Sequence, residues 1–293
     1  MRFLPLSVLL SVPALMLSAQ APDANLGQKL RTERPEVERM INELQPKEAL
    51  ARAEALLPAA KPVFDKTSPQ TMYMSYATFL SLSQAYHLAF KAANAAGQWE
   101  KAFDYIKKAK EISADNYAGA KEPFKLIAED SRAMAERTRK SLKENEAYIN
   151  HLKALKEKDA SDLQQLDLVE KEKKNIEDLE KRAIAFEEFI KTAKADSERY
   201  EPFVAYIEKQ IKDQETQIAE YKHGKGDKGK WVEAVIANPS TYASITEKRD
   251  LMSFLYRLNA LDPDNKKVLH QIDVVLGKAA APPARKTGKG KAK

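Results

Sequence analysis

A heptad repeat of apolar residues runs from Val169 to Tyr221 and constrains the fold more than any other feature of the sequence. One register holds throughout, with Lys and Glu at the outer positions. This spacing predicts a long helix whose seam is buried on another helix. At about 1.5 Å per residue it would extend roughly 80 Å, which suits a strut or spacer. Pro202 falls inside the register and predicts a kink or a restart of the helix. The seam positions are Val169, Ile176, Ala183, Ile190, Ser197, Val204, Ile211 and Ile218, followed three residues later by Glu172, Leu179, Phe186, Ala193, Tyr200, Ile207, Gln214 and Tyr221.

A second and weaker heptad register precedes the first, from Phe124 to Leu155, and its central seam positions are polar. Between the two registers, Asp159 to Asp162 predicts a turn, with Ser161 and Gln164 as a capping box. A connection this short predicts antiparallel neighbouring helices, and therefore an intramolecular coiled-coil hairpin over residues 119–222. Pairing of the same seams between two chains, which would give a homo-oligomer, is the alternative.

The composition favours an all-α fold. The 293 residues include only 9 Gly, and runs of β-branched or aromatic residues that would form strands are scarce. The length is sufficient for one or two cores. We therefore expect helical hairpins at both ends of the chain, in residues 22–118 and 223–277, with the coiled-coil hairpin between them.

The first 21 residues have the pattern of a secretory signal peptide. A positive start at Met1 to Phe3 precedes an apolar run from Leu4 to Leu17 and small residues from Ser18 to Ala21. The apolar run is shorter than the about 20 residues of a membrane span. Cleavage after Ala19 and cleavage after Ala21 both fit. We expect a soluble mature chain that is periplasmic or secreted, with an uncleaved anchor as the alternative.

Basic residues concentrate in a C-terminal tail. From Lys278 to Lys293 there are six basic residues and no acidic ones. Without these and Arg2, 42 basic residues stand against 43 acidic residues in the rest of the chain. The tail is predicted to be disordered and to hold an anionic membrane or polymer surface of the cell envelope, or simply to aid solubility. The balanced remainder predicts no specific nucleic-acid partner.

The region around residue 97 resembles the tetratricopeptide repeat (TPR). Ala95 to Ala102 has a glycine, an aromatic residue two positions later and an alanine three further on, and Ser113 to Asn116 is similar to the exit of the repeat. Gly229 to Ala234 and Leu258 to Asn265 repeat parts of this pattern. In that family, small residues let antiparallel helices approach closely, and the pairs stack into a solenoid. The resemblance implies TPR-like hairpins at both ends of the chain.

The resemblance also implies a ligand-binding face on the helix that precedes Gly97. If that helix begins at Ser83, its concave face carries polar residues three, four and three positions apart. Family members use Lys and Asn at such positions to hold peptide backbones or terminal carboxylates. A polar face in contact with solvent is the alternative. The candidate ligand-binding residues are Gln84, His87, Lys91 and Asn94.

No catalytic, metal-binding or cofactor-binding pattern is complete. Gly224 to Lys230 matches the glycine and lysine spacing of a P-loop, but Trp231 stands where Ser or Thr must hold magnesium. The four histidines lack ligand-spaced partners, and the chain has no cysteine. The sequence therefore predicts a non-enzymatic scaffold or adaptor, without a cofactor, that binds a protein or peptide partner. The alternative is a structural spacer held on the envelope by its basic tail.

Overall fold

The computed structural model describes residues 24–59, 62–221 and 228–279. Every regular element in these ranges is a helix, which confirms the prediction of an all-α chain. The expected signal peptide and the tail beyond Ala279 lie outside the described residues. No helix within the described ranges is long and apolar enough to cross a membrane. The helices are α1 (Ala24–Asn42), α2 (Pro46–Glu54), α3 (Pro69–Ala95), α4 (Trp99–Glu144), α5 (Glu146–Ala154), α6 (Ala160–Arg199), α7 (Glu201–Glu220), α8 (Lys228–Ala237), α9 (Lys248–Leu261) and α10 (Lys266–Val275), with a short 3-10 helix at Pro239–Thr241.

A long antiparallel hairpin organises the fold. Helices α4 and α5 run outward, and α6 and α7 return beside them. Arg132 and Arg139 on α4 form ion pairs with Glu187 and Glu180 on α6, so residue numbers rise along one helix as they fall along the other. The two helices are therefore antiparallel. The seam residues of the first register that are buried are Ile176, Leu179, Ala183, Ala193, Tyr200, Ile207, Gln214 and Ile218.

Helix α4 is longer than the sequence predicts. The expected exit at Ser113 to Asn116 is wrong, because those residues lie inside a continuous helix of 46 residues. The helix also continues through Pro123, although proline removes one backbone hydrogen bond. Ala120 and Phe124, which flank the proline, are fully buried. Their packing offsets the local cost and keeps the helix unbroken.

The sequence also predicts two local features of the hairpin, namely the restart at Pro202 and the turn before α6. The restart predicted at Pro202 is confirmed, since α6 ends at Arg199 and α7 begins at Glu201. The turn predicted at Asp159 to Asp162 lies earlier, because the chain bends at Lys156 and Glu157 and α6 already begins at Ala160, and the capping box predicted for Ser161 and Gln164 is wrong. Asp159 is the N-cap, and its side chain accepts from the backbone N–H of Asp162, whose carboxylate accepts from the N–H of Asp159.

At the base of the hairpin, α1, α2 and α3 pack against the first part of α4 and against α7. Ser68 caps α3 in a capping box with Thr71, and Pro69 occupies the first helical position. The chain is already helical before Thr32, because Leu26 and Leu30 in the first half of α1 pack into the base. The core of this base includes Val37, Leu50, Leu88, Ala92, Ala102, Ile106, Tyr200 and Ile207.

Helices α8, α9 and α10 form a second core, and α9 fastens it to the turn between α3 and α4. Gly97 in that turn has a φ of 71°, and a Cβ there would lie 2.2 Å from the backbone nitrogen of Arg257 on α9. Arg257 is 3% exposed and donates to both carboxylate oxygens of Glu100, each at 2.7 Å. Its guanidinium also donates to Gln214 at 2.7 Å and lies 4.7 Å from the centre of the Trp99 ring. One buried cation therefore ties α9 to α4 and α7.

Candidate functional site

The polar face of α3 is partly covered by α1. Gln84 is half-buried, and its Oε1 accepts a hydrogen bond from Arg34 of α1 at 2.9 Å. Lys91 is exposed and forms an ion pair with Glu38 of α1 at 3.1 Å. Gln84 and Lys91 lie on one side of α3, as their spacing predicts, but α1 packs along that side. Helix α1 therefore covers part of the predicted ligand-binding face at Gln84.

His87 does not face solvent. It is only 8% exposed, and its ring lies 5.3 Å from the ring of Tyr200 and 5.1 Å from that of Phe203. Burial, with smaller effects from nearby cations, lowers the pKa of His87 to about 4, so the imidazole is neutral at neutral pH. Its Nε2 has no hydrogen-bond partner among the described residues. Of the four candidates, His87 is the one that belongs to the core rather than to a polar surface.

Lys91 and Asn94 line an open cleft where α1, α3 and α9 meet. The cleft has a volume of about 500 Å³. Its position follows from the packing of α9 on the end of α3, where Ser253 donates to the backbone carbonyl of Asn94 at 3.2 Å. The residues that line the cleft are Glu38, Ile41, Asn42, Phe90, Lys91, Asn94, Ala95, Arg249, Asp250 and Ser253.

The cleft offers groups that suit a peptide. Asn42 and Asn94 each carry one amide donor pair and one acceptor, which match the backbone N–H and C=O of an extended chain. Its charges occur as two pairs, Lys91 with Glu38 at 3.1 Å and Arg249 with Asp250 at 3.7 Å. Phe90 and Ile41 add apolar surface. This mixture of amides, paired charges and apolar side chains can hold a polypeptide segment, but it contains no arranged nucleophile and base.

A buried polar cluster beside His87 was missed by sequence reasoning. Ser83 of α3 donates to the carboxylate of Asp196 on α6 at 3.0 Å, and Tyr200 lies within 3.5 Å of the Ser83 hydroxyl. Burial raises the pKa of Asp196, and the hydrogen bond from Ser83 partly opposes that effect. Ser83 and Tyr200 are fully buried, so they pin the junction of α6 and α7 onto α3. The one available signal was Asp196, an acidic residue directly before the seam position Ser197 of the first register.

The part of the chain that the structure describes contains no group of three or more His, Asp or Glu side chains that could hold a metal ion. The P-loop-like segment lies mostly outside the described residues. Its last residues, Lys228 to Lys230, form the first turn of α8 rather than the loop that the sequence predicts. Comparison of the chain with protein-family models, with curated proteins and with solved structures finds no match.

Proposed function

We propose that this protein is a non-enzymatic helical scaffold that binds an extended segment of a partner protein in the cleft between α1, α3 and α9. The observation that carries this proposal is that Lys91 and Asn94, two of the four residues expected to hold a peptide, line the same cleft as Asn42 and Arg249. Side-chain amides beside apolar surface are typical of sites that orient a polypeptide backbone.

The proposed TPR-like character rests on the turn at Gly97. This residue adopts a left-handed conformation and lets the backbone of α9 approach closely, which is the use of small residues that the resemblance implies. The long α4 is a departure from the repeat, because its first part pairs with α3 and its remainder joins the hairpin. We therefore limit the proposed repeat-like unit to α3, the turn and the beginning of α4.

The remainder of the hairpin is proposed to act as a coiled-coil spacer. Beyond about residue 130, α4 packs mainly on α6. The ion pairs Arg132–Glu187 and Arg139–Glu180 lie at the edge of the seam. Such exposed pairs contribute little stability and serve mainly register. We also propose that the chain is exported, and that its basic tail is an auxiliary contact to an anionic surface.

The experiment that tests the function is an affinity isolation from the native envelope with four forms of the mature chain. The parent is compared with a triple substitution of Lys91, Asn94 and Arg249 to Ala, and with a chain truncated after Gly277. A matched control changes Arg137 and Lys140, two exposed cations on the hairpin, to Ala. We expect a defined protein partner to be lost with the triple substitution and kept with the control.

The truncation separates the two functions that the sequence left open. Under the scaffold proposal the truncated chain keeps its protein partner, and the binding changes little with salt. If truncation abolishes retention while the triple substitution has no effect, the tail holds the protein on the envelope, and binding should then weaken steeply as salt rises. That result would refute the cleft as the binding site.

A further inference from the structure

Three cations lie near the aromatic side chains at the middle of α3, and one of them has no acidic partner among the residues that the structure describes. Arg34 of α1 donates to the neutral amide of Gln84 at 2.9 Å and forms no ion pair with any described residue. Lys91, by contrast, is paired with Glu38. Gln84 lies one turn before His87 on α3, and the His87 ring lies 5.1 Å from the ring of Phe203, so Arg34 borders the same group of aromatic side chains.

The third cation, Arg199, is only partly neutralised. Its guanidinium lies 3.5 Å from a carboxylate oxygen of Asp196 and 5.6 Å from the centre of the Tyr200 ring, and its side chain is 51% exposed. Asp196 is buried, and its carboxylate also accepts a hydrogen bond from Ser83 at 3.0 Å, so it is shared between Ser83 and Arg199. Arg199 also lowers the pKa of His87, so it stands near the same rings as Arg34.

Exposed aromatic surface lies beside these cations on α7. Phe203 is 37% exposed and Tyr206 is 54% exposed, and the two rings lie three residues apart on one face of α7. The Phe203 ring lies 5.8 Å from the ring of Phe90, and Phe90 also lines the cleft. The buried Phe90 ring therefore lies between Phe203 and the cleft proposed to bind a partner.

We propose that this surface, formed by Arg34, Arg199, Phe203 and Tyr206 and named here the cationic strip, binds an acidic segment of the partner, with a carboxylate at the arginines and an aromatic or large apolar side chain on Phe203. The inference rests on the proposed function and adds the chemistry of its partner. Among the described residues the partner of Arg34 is a neutral amide, and such an arginine gains most from a carboxylate because a planar guanidinium binds one in bidentate fashion.

The charge distribution favours a peptide over a polyanion. Outside the tail and Arg2, the chain has 42 basic and 43 acidic residues, so its body presents no extended positive field. A nucleic acid or acidic polysaccharide is held by many phosphate or carboxylate contacts at once. The cationic strip provides two arginines beside apolar rings, which suits one or two acidic side chains next to an aromatic one.

The test is selection of random linear 12-residue peptides on the immobilised full-length chain, followed by fluorescence anisotropy of a selected peptide. The expected sequences are enriched in Asp or Glu next to Phe, Tyr or Trp. Arg34→Ala and Arg199→Ala should each weaken the selected peptide about tenfold, which corresponds to one charge-assisted contact. Arg137→Ala, which removes an exposed arginine from the hairpin, should change nothing. Unchanged thermal unfolding of the variants checks that they fold.

The outcomes separate the strip from the cleft. Peptides without acidic enrichment, or equal binding by the parent and both arginine variants, overturn the inference. If peptides that do not depend on the two arginines lose binding with Lys91→Ala and Asn94→Ala, the cleft binds a peptide and the cationic strip does not. The proposed function then holds, and the inference fails. If no peptide is selected, or none depends on the cleft, both fail. Single-stranded DNA that binds through Arg34 and Arg199 more tightly than any selected peptide would also overturn the inference.

Discussion

At His87, burial and three neighbouring cations all favour the neutral imidazole. Its pKa is lowered from 6.5 to about 4, mainly by burial and further by Lys91, Arg199 and Arg34. The unfolded chain therefore binds a proton in this range that the folded chain does not. By linkage, the free energy of unfolding must fall as the pH decreases from 6.5 to 4. Asp196 acts in the opposite direction, because its pKa is raised in the folded state.

We predict that His87→Phe removes most of this acid sensitivity. A pKa lowered by this amount corresponds to roughly 3 kcal/mol of stability lost at the acidic end of the range. Phenylalanine keeps a ring against Tyr200 and Phe203 but takes up no proton. The measurement is urea unfolding of the parent and the variant at several pH values between 6.5 and 4. His151→Phe, on exposed surface of α5, is the matched control and should keep the parent's pH dependence. Parallel curves for the parent and His87→Phe would show that another group dominates.

At the scale of elements, the attachment of α9 to the α3–α4 turn joins the two cores. The backbone of Arg257 lies so close to the left-handed Gly97 that a side chain at position 97 would collide with it. We predict that Gly97→Ala destabilises the chain by at least about 2 kcal/mol and lowers the hydrogen-exchange protection of α9, because a Cβ would collide with the backbone of Arg257.

A second glycine supplies the control for that prediction. Gly277 also has a positive φ, of 74°, but nothing lies within 4 Å of a Cβ built there. Gly277→Ala should therefore show the cost of the backbone conformation alone, without loss of protection in α9. Equal effects of the two substitutions on stability and on α9 would mean that close approach at Gly97 is unimportant.

The sequence predicted elements whose signal is periodic and failed where tertiary packing decides. The heptad spacing identified the buried side of α6 and α7, and Pro202 identified the restart between them. The continuity of α4 was missed, since the local penalty at Pro123 is outweighed by burial of Phe124, which no local pattern reveals. Likewise, spacing placed Gln84 to Asn94 on one face of α3 but did not reveal that α1 and α7 cover its middle.

At the scale of the whole molecule, the base and the hairpin have different roles in the proposed scaffold. The base contains the cleft, the cationic strip and most of the core, while the far part of the hairpin presents mainly charged side chains to solvent. In the proposed scaffold, the base holds a partner segment and the hairpin sets a distance from it. The proposed function therefore depends on whether a partner occupies the cleft between α1, α3 and α9.

The most direct test places a photo-reactive amino acid at Asn94, inside the cleft, and at the exposed Leu269 of α10 as the control. Irradiation of the native envelope should join the Asn94 derivative, and not the Leu269 derivative, to one protein. Arg249→Ala in the same chain should abolish that product. A product equally strong from both positions, or no product at Asn94 while the chain is retained on the envelope, would contradict the proposed function.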